Sequence, residues 1–150
     1  MSAWGRHGEG RKNIVMVQVD LTKIIIDERR QDQVIVLKER MGERQFPIVI
    51  GLMEASTIKM KLSGIALPRP MTHDLLLATI QALEAKMERL VIDKLVENTF
   101  HAKLALRTRD GEERIIDSRP SDGIALAVRA HAPIFVEEDV LQKASFFKLD

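Results

Sequence analysis

One pattern constrains the fold of this chain more than any other feature: two similar successions of short apolar runs and an amphipathic segment. The first succession is centred on Gly42 and the second on Gly111, and apolar runs flank both glycines. Short alternating or fully apolar runs predict strands, and the segment of helical spacing after each pair predicts a helix. The chain thus contains two strand–turn–strand–helix units, a pattern consistent with an internal duplication. The fold class that follows is α+β, with helices packed on a mixed, mainly antiparallel sheet.

Length and composition restrict the organisation and the surroundings of the chain. Residues 1–12 contain three glycines and few apolar side chains, so we expect a disordered leader there and a single domain over residues 13–150. The absence of cysteine excludes disulfides, thiolate zinc sites and thiol nucleophiles. No apolar run reaches the length of a membrane span, and the N-terminus lacks an apolar signal core. We therefore expect a cytoplasmic protein that is not associated with a membrane.

Two local patterns make specific structural predictions. The longest periodic segment predicts a helix that begins at Thr72 as N-cap residue. Its apolar stripe consists of Leu76, Ile80, Leu83, Met87 and Leu90. Pro47 falls within a predicted strand, and proline cannot donate a hydrogen bond to a neighbouring strand. That strand should therefore lie at a sheet edge or at a bulge.

The charge balance limits the kinds of partner that the chain can bind. Lys and Arg number 23 against 22 Asp and Glu, so the net charge is +1. A broad basic surface for nucleic acid is excluded, because such a surface requires a clear excess of cations. Aromatic residues make up only 4% of the chain, which gives little support to base stacking as the main mode of recognition.

Three predicted helix starts carry polar side chains that packing does not require. Glu54 follows one strand directly, His73 and Asp74 follow Arg69-Pro70, and Asp122 follows Asp117-Ser118-Arg119-Pro120-Ser121. A histidine beside carboxylates is suited to acid–base catalysis. Arginine and the free N–H groups of a helix start are suited to binding phosphate. Paired carboxylates could hold Mg²⁺ or Mn²⁺. The candidate catalytic residues are Glu54, His73, Asp74, Asp117 and Asp122; the candidate phosphate-binding residues are Arg69, Arg119 and Ser121; and the candidate metal ligands are Asp117 and Asp122.

Three interpretations of these segments remain open at this stage. The side chains could form one catalytic site, or they could form a non-enzymatic binding or regulatory module in which paired helix N-termini hold an anionic ligand or a protein partner. They could also be ordinary helix caps and structural ion pairs. Catalysis would be favoured if one cleft contained Glu54, His73, Asp117, Arg119 and Asp122. A structural role would be favoured if these residues instead formed separate helix caps.

The same segments resemble the bifunctional nuclease domain family of bacteria and plants. The matching stretches are residues 46–55, 69–75 and 117–127, and the resemblance extends from about Val15 to Ala144. Ser118 and Gly123 depart from it, because the family pattern leads us to expect alanine at both positions. The resemblance implies a compact α+β domain that hydrolyses phosphodiester bonds of RNA and DNA, with single-stranded RNA or DNA as the partner. The exposed edge strands of a small sheet further suggest a homodimer.

Overall fold

The computed structural model describes residues 14–145, so the leader expected at residues 1–12 lies outside the described residues. Within this range the chain forms seven strands and four helices. The strands are β1 (Met16–Ile25), β2 (Asp32–Glu39), β3 (Gln45–Gly51), β4 (Lys86–Val96), β5 (Thr99–Arg107), β6 (Glu113–Ser118) and β7 (Ile134–Glu137). The helices are α1 (Leu52–Leu62), α2 (Thr72–Ala82), α3 (Pro120–Ala130) and α4 (Glu138–Ala144). None of these helices is both long and apolar enough to cross a membrane.

All seven strands belong to one mixed sheet with the order β3-β2-β1-β7-β4-β5-β6. The first three strands form an antiparallel meander, and so do β4, β5 and β6. The last strand, β7, lies between the two meanders, antiparallel to β1 and parallel to β4. The predicted α+β class and the mainly antiparallel sheet are confirmed.

The two halves of the chain share the order of their elements but not the conformation of their turns. Each meander is followed directly by a helix, α1 after β3 and α3 after β6. Gly111 has a φ of +85°, whereas Gly42 is not among the described glycines with positive φ. The predicted strand–turn–strand–helix repeat is thus a repeat of architecture rather than of one turn conformation.

The main core lies between the sheet and its helices and includes fully buried Leu37, Leu90 and Ile124. Phe46 of β3 and Phe100 of β5 also meet on this side, with ring centroids 5.5 Å apart. Because β3 is one edge of the sheet and β5 is next to the other edge, the sheet must curve strongly to bring these rings together. In the sheet that the structure describes, β3 pairs only with β2, so the edge position predicted from Pro47 is confirmed.

The prediction of one helical stripe as far as Leu90 is wrong. Helix α2 ends at Ala82, Glu84 has a left-handed φ of +60°, and Met87 and Leu90 belong to β4. A β-bulge lies between Met87 and Arg89, so two buried strand residues three positions apart face the same side of the sheet. This spacing imitates that of a helix, which explains the wrong assignment. The helix also begins one residue earlier than predicted, with Met71 rather than Thr72 as N-cap residue.

Candidate functional site

Three helix N-termini meet at one end of the helical layer. Helix α1 follows β3 without a loop and α3 follows β6 after the single residue Arg119, so each strand delivers its helix directly to this end. Helix α3 packs against both α1 and α2. This packing brings together polar residues from the first turns of three helices that are far apart in the sequence.

Four of the predicted site residues form a continuous set of contacts, which we call the helix-start cluster: Glu54, His73, Arg119 and Asp122. Asp122 is central, with Oδ1 3.0 Å from Nε2 of His73 and Oδ2 accepting a 2.9 Å hydrogen bond from Nε of Arg119. Arg119 also reaches Oε1 of Glu54 through Nη2, at 3.5 Å. The His73 side chain is 13% exposed and that of Arg119 is 68% exposed. The cluster thus has a sheltered imidazole beside an accessible guanidinium.

Local backbone structure explains how α1 and α3 present their side chains. Arg119 is the extended N-cap residue of α3 and Pro120 begins the helix, an arrangement that puts Asp122 in the first turn. On α1 the N-cap residue is Gly51, and a Cβ atom there would lie 2.4 Å from Oε2 of Glu54. The missing side chain of Gly51 therefore leaves the space that the Glu54 carboxylate occupies near Arg119.

The electrostatic balance of the cluster keeps Asp122 ionised. Burial alone would raise the pKa of Asp122, but hydrogen bonds from Arg119 and His73 outweigh burial and lower it below its usual value. The pKa of Arg119 is raised, chiefly by its hydrogen bond to Asp122. An ionised Asp122 can only accept a hydrogen bond, so the Nε2–H of His73 donates to it and Nδ1 is the ring nitrogen that remains available as a base.

Asp74 lies in the same helix turn as His73 but is engaged elsewhere. Its carboxylate accepts hydrogen bonds from the backbone N–H of Met71 at 2.9 Å and from Nε of Arg129 at 2.8 Å. The hydrogen bonds from Met71 and Arg129 lower the pKa of Asp74. Asp74 therefore caps α2 and ties it to α3, and the structure does not bring its carboxylate into the helix-start cluster.

Asp117 is also separate from the cluster. It contacts Nζ of Lys103 at 3.3 Å, and Lys103 in turn contacts Asp93. Lys103 lies between Ala102 and Leu104, which belong to the main core, so its side chain points to the sheet face opposite the helices. The structure therefore does not bring Asp117 and Asp122 together as a pair of carboxylates.

Arg69 and Ser121 lie near the cluster but form none of its contacts. Arg69 is exposed and lines a groove of about 370 Å³ beside Met71 and Asp74. Ser121 is buried, 6% exposed, and lines a second groove together with Arg119. Either residue could contribute to phosphate binding only at the margin of the cluster.

The donor set does not fit a divalent cation. Within residues 14–145 no group of three or more His, Asp or Glu side chains is arranged to share a metal ion. Both carboxylates of the helix-start cluster already face the Arg119 guanidinium, whose charge would oppose a cation.

Two structural features near the site have no counterpart among the predicted residues. Arg129 is 7% exposed, and an isolated arginine in an otherwise apolar helix gives no sequence signal of its partner. The second feature is the turn formed by Glu97 and Asn98, which have φ values of +51° and +64°. An asparagine between two apolar runs is a recognisable signal for a tight hairpin, and it could have been found from the sequence.

The fold and the site define a small α+β domain with a histidine–aspartate–arginine set at converging helix starts. The chain belongs to the bifunctional nuclease domain family, whose model matches residues 35–148. It is similar to two proteins of Mycobacterium tuberculosis that are described as uncharacterized, MT1877 of strain CDC 1551 / Oshkosh and Rv1829 of strain H37Rv. Each is 38% identical over 130 residues, which cover 86% of this chain and 76% of the relative.

Proposed function

We propose that this protein is a nuclease that hydrolyses phosphodiester bonds of single-stranded RNA and DNA at the helix-start cluster. The observation that carries the proposal is the contact of His73 and Arg119 with the two oxygens of Asp122, at 3.0 and 2.9 Å. A base and a cation held on one carboxylate can act on the same substrate group. Membership of the bifunctional nuclease domain family supports the phosphodiester as that group.

His73 is the proposed general base. Asp122 orients the imidazole through Nε2 and stabilises the positive charge that the ring acquires when Nδ1 takes a proton. Because DNA has no 2′-hydroxyl group, an enzyme that cuts both nucleic acids needs water as its nucleophile. His73 therefore removes a proton from a water molecule placed next to the phosphorus atom.

Arg119 is the proposed phosphate-binding residue. Its contacts with Asp122 and Glu54 engage Nε and Nη2 and hold the side chain in place, although the guanidinium is 68% exposed. A guanidinium has five N–H donors, so donors remain for the phosphate oxygens, where negative charge builds up in the transition state. Arg69 and Ser121 would act on the neighbouring phosphate rather than on the scissile one.

The reaction consumes one water molecule. The water oxygen forms a bond to phosphorus, and the bond from phosphorus to the leaving ribose or deoxyribose oxygen breaks. That oxygen takes up a proton, and His73 gives back the one it removed from water, so no net proton remains on the protein. The products are one strand with a terminal phosphate and one with a terminal hydroxyl group. No step is routed through a metal ion, because the carboxylates of the cluster are arranged around a guanidinium.

The test is cleavage of labelled single-stranded RNA and DNA, with and without EDTA. We expect His73→Ala to lower the rate by about 10²- to 10⁴-fold, the range for loss of a general base. His101→Ala is the matched control, because His101 lies on β5 and is not in the cluster. We expect EDTA to leave the rate unchanged. Equal rates for the wild type and a His73→Ala/Asp122→Ala double variant would contradict the assignment.

A non-enzymatic module is the alternative, and the same experiment separates it from a nuclease. The observation that favours it is that Arg119 already contacts two carboxylates, which reduces the net positive charge available to a phosphate. A wild-type protein that binds a labelled strand without cutting it, under every condition tested, would support the binding module.

We also propose that the protein is a homodimer. The two edge strands, β3 and β6, each have one side without a strand partner in the described sheet, and β6 is the edge proposed for the dimer contact. Exposed edges of this kind are commonly covered by a second copy. Analytical ultracentrifugation at micromolar concentration tests this, and a single species of 17.0 kDa would contradict it.

A further inference from the structure

A groove of about 460 Å³ opens beside the helix-start cluster. One wall is the outer edge of β3, another is the β4–β5 turn, and the start of α3 closes one end. Its volume lies within the range of sites that bind small organic groups. Pro47 and Phe100 supply apolar surface, and Asp32 and Asn98 supply polar groups. The groove is therefore a mixed apolar and polar site rather than a purely apolar one.

The groove and the helix-start cluster share residues. Arg119 lines the groove and also contacts both carboxylates of the cluster. Gly51 lines the groove as well, and its missing side chain makes room for Glu54. A phosphate bound to Arg119 would thus have the rest of its nucleotide at the entrance of the groove.

The edge strand supplies backbone hydrogen-bonding groups to the groove. The N–H of Glu39 bonds to the C=O of Arg44, so this pair is a hydrogen-bonded pair of the β2–β3 ladder. Hydrogen-bonded and non-hydrogen-bonded pairs alternate in an antiparallel ladder. The register then makes the pairs of Pro47 and Val49 non-hydrogen-bonded, which directs the N–H and C=O of Val49 away from β2. The N–H and C=O of Val49 are thus a donor and an acceptor in fixed positions, which can form hydrogen bonds with the edge of a planar heterocycle.

We propose that this groove is the nucleobase-binding subsite of the protein, an inference that rests on the proposed nuclease function. The base lies between the apolar surfaces of Pro47 and Phe100, and its edge meets the backbone of Val49 and the amide of Asn98. Asp32 accepts a hydrogen bond from an exocyclic amino group, as carboxylates do for cytosine. The phosphate of the same nucleotide binds Arg119.

Asn98 allows a clean substitution. Its φ of +64° is strained for most residues but not for glycine, so Asn98→Gly removes the amide and keeps the turn. Glu97→Gly is the matched control, because Glu97 has a φ of +51° in the same turn and does not line the groove. Both variants change the turn in the same way, but only Asn98→Gly changes the proposed subsite.

The first measurement compares cleavage of an oligonucleotide with that of the same strand carrying an abasic residue at the scissile position. We expect Asn98→Gly to lower kcat/KM on the normal strand about tenfold and to leave the abasic strand unaffected. Glu97→Gly should leave both rates unchanged. Equal cleavage of the two strands by the wild type, or an equal loss on both strands in Asn98→Gly, would overturn the proposal.

The second measurement does not require catalysis and so separates this proposal from the nuclease function. Cytidine monophosphate and ribose 5-phosphate are titrated into the full-length His73→Ala protein and followed by NMR. We expect cytidine monophosphate to bind about tenfold more tightly, and Asp32→Ala and Asn98→Gly to reduce that difference. Equal affinities would overturn the subsite, whatever the cleavage assay shows. Selective binding without cleavage would support the subsite and contradict the nuclease.

Discussion

The Nε–H of Arg129 donates to Oδ1 of Asp74 at 2.8 Å, from a side chain that is only 4% exposed. Arg129 also donates to the C=O of Ala125 at 2.9 Å. This pair joins α3 to the first turn of α2, the turn that carries His73. Asp74, one of the expected catalytic residues, thus ties α2 to α3 and holds His73, the proposed base, in place.

Removal of Asp74 should destabilise the protein strongly. In Asp74→Ala the buried Arg129 charge loses its partner, which costs about 3 kcal/mol of the free energy of unfolding. Urea denaturation measures this loss, with Asp110→Ala in the exposed β5–β6 turn as the control. An Asp74→Ala/Arg129→Met double variant should recover much of the stability, because no unpaired charge remains. Similar losses in Asp74→Ala and Asp110→Ala would show that the pair is not an anchor.

A methyl group at Gly51 should act by displacing the Glu54 carboxylate. The backbone of Gly51, with φ −75° and ψ 161°, suits alanine, but the new Cβ would displace the Glu54 carboxylate. We expect Gly51→Ala to lower kcat/KM about fivefold, which corresponds to ~1 kcal/mol of activation free energy. We expect Glu54→Ala to have the same effect. Steady-state cleavage kinetics of both variants and of the double variant test this coupling. An additive loss in the double variant would mean that the two residues act independently.

The carboxyl group of Glu137 should make stability depend on pH. Burial raises its pKa above the ordinary value of 4.5, and the charges of Asp93 and Asp139 raise it further against those of Lys103 and Lys94. Stabilisation from protonated Glu137 is complete below pH 4.5 and is lost as pH rises through the raised pKa of the folded state. We expect Glu137→Gln to remove this loss, measured as urea midpoints across the acidic range.

A neighbouring carboxylate adds to the effect of burial on the pKa of Glu137. Val136 pairs with Ile92 in the parallel ladder, so Glu137 lies beside Asp93 on the next strand. Oδ1 of Asp93 is a buried side-chain oxygen without a hydrogen-bond partner in the described part of the chain. Glu43→Gln, at a side chain that is 94% exposed, is the control. If both glutamine variants keep the same pH dependence as the wild type, Glu137 is not the responsible group.

Binding of single-stranded nucleic acid should depend only weakly on salt. The net charge is +1, and Arg69 and Arg119 are the proposed contacts to phosphate. Two neutralised phosphates of a single strand predict a slope of about −1.4 in a plot of log K against log salt concentration. Fluorescence anisotropy with the His73→Ala protein measures the slope without cleavage. A slope steeper than about −4 would reveal a basic surface that the charge balance excludes.

The sequence predicts the fold class, and four of the eight candidate site residues lie together in the helix-start cluster. The differences between prediction and structure have identifiable causes. Alternating runs identify the strands because one side of each strand is buried. Met87 and Leu90 are misassigned because the bulge in β4 gives a strand the spacing of a helix. The polar groups at three helix starts indicate the cluster, but spacing along a chain does not say which first-turn carboxylate meets which cation. Asp74 differs from Asp122 in the partners that tertiary packing brings to it, whereas Asp117 lies on β6 and contacts Lys103 on the opposite face of the sheet.

The position of β7 has a consequence for the order in which the molecule can assemble during synthesis. Among residues 14–145 the two meanders do not pair with each other directly, and only residues 134–137 join β1 to β4. A ribosome must therefore release the chain as far as Glu137 before the sheet can become continuous. His73 cannot be positioned against Asp122 in a nascent chain that lacks α3, so a growing polypeptide would carry no complete cluster next to the messenger and ribosomal RNA that surround it.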